Sequence, residues 1–291
     1  MESSFLTAVF LPLALFVIML GMGLGLTVDD FKRILVAPRA VMLGLVAQLV
    51  MLPVIGFTLA SIFPLSPELA VGVMILSACP GGATSNLVTY LARGNVARSI
   101  TLTAISSLIT VFTIPLIVNI AMERFLGAGS TLQLPLLSTM AQIAVITLVP
   151  VSIGMLLHNK TPQLAKRLEK WVKWLSLFFL GLIIVGLILK ERAQVAGFFL
   201  QVGWVTLALV VVTMALGYGL ATLARLDKRS VTAITVEVGI QNGTLAIAIT
   251  SAPPLLNTPT MAIPAAIYSL LMFAVSGLFA WWSQRQLEAQ V

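Results

Sequence analysis

The sequence predicts an all-α polytopic membrane protein with nine transmembrane helices. Of its 291 residues, 59% are hydrophobic and 9% are charged, and the mean hydropathy is +1.07. A soluble globular chain carries about 25% charged residues, so this composition excludes a water-soluble fold. The apolar runs are long and continuous, which favours spanning helices over the alternating segments of an outer-membrane barrel.

Charged and Pro/Gly-rich connections divide the chain into nine apolar runs. The predicted spans are 5–26, 41–63, 69–92, 97–121, 135–157, 172–189, 198–223, 230–252 and 260–283. If alternate connections lie on opposite sides, 14 of the 17 Lys and Arg residues fall on one side. Because cytoplasmic loops collect these residues, we predict a multi-pass protein of the plasma (inner) membrane with its N-terminus outside and its C-terminus in the cytoplasm. The excess of basic residues is therefore interpreted as a determinant of membrane topology, and no nucleic-acid partner is expected.

Two of the predicted spans contain residues that interrupt a helix. Span three contains residues 79–82 (CPGG) followed by a polar run, and span eight contains Gly239 within the polar segment 235–244. Matched interruptions in two halves of a chain are typical of inverted-repeat transporters with a site at the bilayer midplane. The predicted parts of this single membrane domain are an N-terminal repeat of four spans (1–134) and a C-terminal repeat of five (135–291), which includes a basic cytoplasmic linker (158–171).

Glu237 is the one residue among ten acids that falls inside a predicted span. A carboxylate at that depth costs about 2.5 to 3.5 kcal/mol or more, so it is expected to face a cavity or a partner. No Lys or Arg lies in the interior of a predicted span, which leaves protonation or a bound cation to neutralise it. The structural alternative is a neutral glutamic acid that hydrogen-bonds neighbouring helices.

Oxygen atoms suited to a hard cation such as Na+ surround this carboxylate in the sequence. Gln241 follows Glu237 by four residues, which places both on one helix face. Val238 and Ile240 offer main-chain carbonyls beside the interruption, where unwound backbone can coordinate an ion.

Two further groups of polar side chains lie within predicted spans. Ser99 and Thr103 are four residues apart, so both hydroxyls can lie on one face of span four. Gln48 is an amide within the apolar span two. The alternatives are back-bonding to the helix for the hydroxyls and a helix-to-helix hydrogen bond for the amide.

The half-helices that begin near Ala83 and Gly243 would direct positive dipole ends and free N–H groups toward the midplane. Such helix starts favour an anionic substrate, and Asn242 is placed to add a side-chain donor. The predicted substrate-binding residues are Ala83, Thr84, Asn242 and Gly243.

Several other kinds of site have little support. A lone Cys79 and a lone His158 exclude an intrachain disulfide and a Cys/His zinc cluster. One buried carboxylate without a second acid or His provides no acid-base pair, so an enzyme is not predicted. Three alternatives stay open: a proton-coupled organic-anion carrier, an efflux carrier for arsenite-like oxyanions with Cys79 as a soft ligand, and a non-transporting membrane receptor.

Three stretches of the chain resemble the bile acid:sodium symporter family. They are residues 44–53 (GLVAQLVMLP), 79–103 (CPGGATSNLVTYLARGNVARSITLT) and 234–243 (ITVEVGIQNG). The resemblance implies a panel and a core domain, two inverted five-helix repeats, two crossed broken helices and two Na+ sites. The implied first site is Ser85, Asn86, Ser99, Thr103 and Glu237. The implied second site is Gln48, Glu237, Val238, Ile240 and Gln241.

The chain departs from the family pattern in two places. It is expected to lack the family's first helix, and residues 81–86 read GGATSN where the family commonly has GGTASN. The resemblance therefore implies a substrate smaller than a bile acid, an organic anion of the class of pantoate, pantothenate or 2-oxo acids. We predict a sodium-coupled symporter for such an anion that works by alternating access in the lipid bilayer and does not require oligomerisation.

Overall fold

A computed structural model of the chain describes residues 9–127, 134–190, 195–252 and 255–288. Within these ranges the protein contains α-helices and no named strand. The helices are α1 (Leu11–Leu24), α2 (Val28–Val36), α3 (Pro38–Val46), α4 (Leu52–Ile62), α5 (Pro67–Ala78), α6 (Ala83–Leu91), α7 (Val96–Leu126), α8 (Leu136–Lys160), α9 (Pro162–Lys190), α10 (Val195–Leu223), α11 (Lys228–Gly239), α12 (Gly243–Ser251) and α13 (Ile263–Glu288). A π-helical turn (Ala47–Met51) joins α3 to α4, and a 3-10 turn (Pro259–Ala262) precedes α13.

In the described part of the chain, five helical segments are long and apolar enough to cross a bilayer. They are Pro38–Ile62, Val96–Leu126, Leu136–Lys160, Gly197–Leu223 and Pro259–Gln286. α1 and α2 would add a sixth if they form one span, although they are bent by 59°. The all-α polytopic membrane fold is therefore confirmed. The count of nine spans and the inverted repeats stay predictions, and the start of span one at residue 5 lies outside the described residues.

Both predicted interruptions are present. Span three is divided into α5 and α6, and span eight is divided into α11 and α12. The halves are 12 and 9 residues long in each case, and each is too short to cross about 30 Å of hydrocarbon alone at 1.5 Å per residue. Two half-helices joined by unwound chain replace one continuous helix at each place.

The two unwound segments lie against each other in the interior, and we call this place the crossing. Gly81 and Gln241 form an isolated antiparallel bridge. The Asn242 N–H also donates to the Pro80 carbonyl oxygen over 2.9 Å. Main-chain groups inside a bilayer must find partners within the protein, and each break supplies partners for the other.

The helices pack in two groups. α1 packs along α8 and α9, and we call these three helices the panel; we call α3 to α7 and α10 to α13 the core. A Cβ atom on Gly23 of α1 would lie 2.2 Å from the Val151 carbonyl oxygen of α8, so only glycine permits this close approach. The two names are those of the domains that the resemblance implies, and this division stays a prediction.

The basic segment 158–171, which we predicted as a linker, is helical apart from Thr161. α8 continues to Lys160 and α9 begins at Pro162, because proline is well accommodated at the first position of a helix. The charged residues end the apolar runs but not the helices, so the predicted end of span five at 157 and start of span six at 172 differ from the helix bounds.

Candidate functional site

Glu237 lies in the last turn of α11 and is fully buried. Its carboxylate accepts three hydroxyl hydrogen bonds, from Ser85 at 2.7 Å, Ser99 at 2.9 Å and Thr103 at 2.6 Å. Among the described residues no Lys or Arg forms an ion pair with it. A buried carboxylate without a basic partner is neutralised by a proton or by a cation.

The hydroxyls come from α6, which begins at the first break, and from α7, the next helix along the chain. Ser99 and Thr103 lie one turn apart on α7, while Ser85 lies in the first turn of α6. Asn86 is also adjacent, with its Oδ1 atom 3.5 Å from the Thr103 hydroxyl. The structure thus places all five predicted first-site residues together. Thr89, which sequence reasoning missed, donates to the Ser99 hydroxyl over 3.3 Å; its spacing of four residues from Ser85 could have revealed it.

Gly81 belongs to the same site, although the sequence identified it only as a helix breaker. A Cβ atom on Gly81 would lie 2.0 Å from Oε1 of Glu237. Non-bonded carbon and oxygen atoms cannot approach so closely, so the carboxylate can occupy this position only because residue 81 is a glycine. The first break therefore supplies both unwound backbone and room for the acid.

A second set of oxygen atoms lies close together where Gln48 meets the two breaks. Gln48 donates through Nε2 to Oε1 of Gln241 over 2.6 Å, and Gln241 donates to the Val238 carbonyl over 2.8 Å. The Ile240 carbonyl accepts the Gly82 N–H at 3.3 Å. Oε1 of Gln48 is buried and has no hydrogen-bond partner in the described part of the chain. An unpaired buried acceptor is costly, and a bound cation would satisfy it.

Gln48 lies within the π-helical turn, a feature that the sequence did not predict. Such turns are rare and frequently occur at functional sites. From this turn Nε2 also donates to the Cys79 carbonyl oxygen over 3.1 Å. The side chain of Gln48, which lies between α3 and α4, therefore contacts both breaks.

A cavity of about 420 Å³ lies between the panel and the core, beside the two breaks. Its panel wall is mainly apolar and includes Ile18, Met22 and Leu180. Its core wall includes all four predicted substrate-binding residues and two predicted sodium ligands: Ala83, Thr84, Asn242, Gly243, Asn86 and Gln241.

The cavity also contains polar residues that sequence reasoning missed. Thr244 adjoins Gly243 at the start of α12, so its position next to the predicted half-helix was a usable signal. Ser176 and Glu169 lie on α9 and face the cavity from the panel. Nothing in their local sequence indicates a site, because the packing of the panel on the core brings them there.

The two half-helices that begin at the cavity have different N-terminal caps. Asn242 accepts the Leu245 N–H through Oδ1 at 3.0 Å and so caps α12 itself. Gly82 precedes α6, which has no side-chain cap. The N–H groups of Ala83 and Thr84 at the start of α6 are thus available to an anion, whereas the Ser85 N–H donates to the Gly82 carbonyl oxygen over 2.9 Å. Oδ1 of Asn242 is used in the cap, so its side chain can offer an anion only its NH2 group.

The sequence model of the Sodium Bile acid symporter family matches residues 12–198, which is more than half of the chain. The chain belongs to the sodium bile acid symporter family. Membership in a symporter family identifies the chain as a sodium-coupled transporter of the membrane and not as an enzyme.

Three similar proteins extend the symporter-family match over nearly the whole chain. The chain is 32% identical to "Uncharacterized sodium-dependent transporter YocS" of Bacillus subtilis (strain 168), covering 97% of this chain and 85% of that protein. It is 30% identical to "Probable sodium/metabolite cotransporter BASS1, chloroplastic" of Oryza sativa subsp. japonica, covering 90% and 63%. It is 28% identical to "Ileal sodium/bile acid cotransporter" of Homo sapiens, covering 92% and 77%. The half-helix α12 and Glu237 lie beyond the residues that the family model matches. The similarity to YocS, in contrast, covers 97% of this chain.

In the described part of the chain, Cys79 is buried away from both cavities. Its side chain is 1% exposed and lines neither the large cavity nor the small one described below. The geometry therefore does not favour a soft-ligand role in oxyanion efflux.

Proposed function

We propose that this protein imports a small organic anion across the plasma (inner) membrane together with two Na+ ions, by alternating access. The observation that carries the proposal is the buried Glu237 carboxylate, which meets three hydroxyls at the crossing of two unwound segments. Both proposed Na+ sites and the cavity lie within one chain, so function does not require an oligomer.

The first proposed Na+ site consists of Glu237 and the hydroxyl and amide oxygens around it. Thr103 has two acceptors besides the carboxylate: the Ser99 carbonyl at 3.0 Å and Oδ1 of Asn86 at 3.5 Å. Its proton can therefore turn away while its oxygen faces an ion. Carboxylate, hydroxyl and amide oxygens are the ligands that hard cations prefer, and a monovalent ion balances the single carboxylate charge.

The second proposed Na+ site uses Gln48, Gln241 and the carbonyls of Val238 and Ile240, with Glu237 contributing charge to both sites. Oε1 of Gln48 supports this site because it is one of four buried side-chain atoms without a hydrogen-bond partner among the described residues, and its side chain contacts both breaks. These oxygens carry no full charge of their own, so the second ion depends on the carboxylate next to the crossing.

The proposed substrate is an organic anion with one carboxylate and an apolar body. A volume of about 420 Å³ lies within the usual range of small-ligand sites. The uncapped start of α6 and Thr84 would hold the carboxylate, and the apolar panel wall would contact the remainder. Two Na+ ions with a monoanion move one net positive charge inward, which gains about 2.3 kcal/mol per 100 mV.

The large cavity gives the proposed site an opening to one side of the membrane, as alternating access requires. It extends to Tyr90 and Val96, which flank the basic connection between α6 and α7. By the positive-inside rule this is the cytoplasmic side, so we infer an inward-facing state. A second cavity of about 20 Å³ at Ser107 and Thr110 adjoins the same end of α1, because Met22 and Leu26 line both cavities.

Thermal stability of the purified protein tests the coupled ion and the substrate class together. We expect Na+ to raise the melting temperature relative to K+, and one small organic anion to raise it further only in Na+, since ligands that bind the folded state stabilise it. Electrogenic uptake of that anion in proteoliposomes would complete the test. Uptake driven by a pH gradient in sodium-free buffer would instead indicate proton coupling, and sodium-independent binding without uptake would indicate a receptor.

Thiol labelling tests the side to which the large cavity opens. Leu87→Cys places a thiol on the wall of this cavity. We expect a membrane-impermeant reagent to modify Leu87→Cys from the cytoplasmic side, and a state that opens outward to protect it. Wild-type protein is the control, since its lone Cys79 is buried. Modification of Leu87→Cys from the outside alone would contradict a cytoplasmic opening of this cavity.

A further inference from the structure

Tyr268 of α13 is fully buried and contacts the second break from outside the proposed ion sites. Its hydroxyl donates to the Gly239 carbonyl oxygen over 2.9 Å. Gly239 is the last residue of α11, where the carbonyl groups lose their helical partners. Tyr268 lines neither cavity, so it is not a substrate contact.

The hydrogen bond from Tyr268 determines the orientation of one peptide group in the break. The peptide between Gly239 and Ile240 is planar, so its carbonyl and its N–H turn together. The N–H donates to the Val236 carbonyl over 3.0 Å, and the carbonyl accepts from Tyr268. Because both ends are bonded, the peptide plane cannot rotate without breaking a buried hydrogen bond.

This peptide plane lies between the two main-chain carbonyls proposed as Na+ ligands. The Val238 carbonyl precedes it and the Ile240 carbonyl follows it. Both are held toward the crossing, by the Gln241 side chain and by the Gly82 N–H respectively, while the Gly239 carbonyl is held toward α13. Rotation at Gly239 would turn its neighbours away from the crossing.

The rest of the packing supports the same role for α13. A Cβ atom on Gly239 would lie 2.1 Å from Cγ of Met214, so the backbone here is pressed against α10. A Cβ atom on Gly243 would lie 2.1 Å from Oγ of Ser269, the residue after Tyr268. Consecutive residues of α13 thus contact both ends of the break.

We propose that Tyr268 is a positioning residue for the second Na+ site, which it serves by orienting the carbonyls of Val238 and Ile240 without touching the ion. The inference rests on the proposed function. On this inference, the Na+ affinity of the second site depends on a hydroxyl group that lies outside both ion sites.

Equilibrium binding of radioactive Na+ to the purified full-length protein tests this role. Tyr268→Phe removes the donor, and we expect it to raise the half-saturating Na+ concentration of one of two sites by about three- to tenfold, the effect of one buried hydrogen bond. Replacement of Tyr268 by 4-aminophenylalanine, which retains a donor, should restore the wild-type value. Tyr218→Phe makes the same change on half-exposed α10 surface and should have no effect.

The melting temperature in Na+ and in K+ separates positioning from general stability. A purely structural contact would lower both values equally and leave Na+ half-saturation unchanged, and that result would overturn the inference. If Tyr268→Phe does not fold, 4-methylphenylalanine fills the volume without donating and is compared with 4-aminophenylalanine. Wild-type protein that binds no Na+ would refute the proposed function itself, whereas two bound ions in wild type and an unchanged variant would refute only the role of Tyr268.

Discussion

Replacement of Glu237 by Gln is expected to abolish Na+ binding and Na+-driven uptake while the protein still folds. The amide keeps the size of the side chain but removes the charge that both proposed ions share. Removing one partner of a buried charge pair costs about 3 to 5 kcal/mol, so Na+ affinity should fall by at least about 100-fold. Equilibrium binding of radioactive Na+ and uptake in proteoliposomes measure the loss.

The control for this change is Glu123→Gln, which makes the same substitution at an exposed position in the last turns of α7. It should bind Na+ like the wild type. Retained sodium dependence in Glu237→Gln would show that the carboxylate does not bind the ion. A variant that has lost Na+ dependence but still responds to a pH gradient would conflict with the expected complete loss of coupling.

Replacement of Gly81 by Ala is expected to weaken Na+ binding although no ligand atom is removed. The added Cβ would lie 2.0 Å from Oε1 and 2.8 Å from Cδ of Glu237. Either the carboxylate must leave its three hydroxyls or the break must shift. Overpacking of this kind costs about 1 to 3 kcal/mol, so we expect about a 5- to 150-fold loss of Na+ affinity, measured by the same binding assay.

Gly219→Ala provides the matched control, because a Cβ at that position of α10 meets nothing within 4 Å. Its Na+ affinity should equal that of the wild type. If Gly81→Ala also binds Na+ normally and couples transport, the carboxylate position found here is not the one that binds the ion.

Much of the fold follows from local properties of the sequence. The scarcity of charge predicts membrane helices, and the runs CPGG and VGIQNG predict the two interruptions, since proline and glycine act on the backbone where they occur. Glu237 could be selected because it is the one acid within an apolar span. Helical spacing of four residues likewise predicted that Ser99 and Thr103 share a face.

Other local features were misjudged because apolar patterning does not mark every helix. The linker 158–171 is charged but helical, and α2 lies in a stretch interpreted as a connection. The π-helical turn at Gln48 is also absent from the sequence pattern, because a single additional residue per turn leaves the apolar pattern almost unchanged.

By itself, the sequence determined the class of fold, the two breaks and the buried acid. Only the tertiary structure decided what surrounds that acid: Ser85 lies 152 residues from Glu237 along the chain, and the contacts of Gly81 and Tyr268 follow from how α6, α7 and α13 pack. Propensity and periodicity act over a few residues and can be recognised one segment at a time. Distances between segments depend on all the packed side chains together, so they appear only when the helices are assembled.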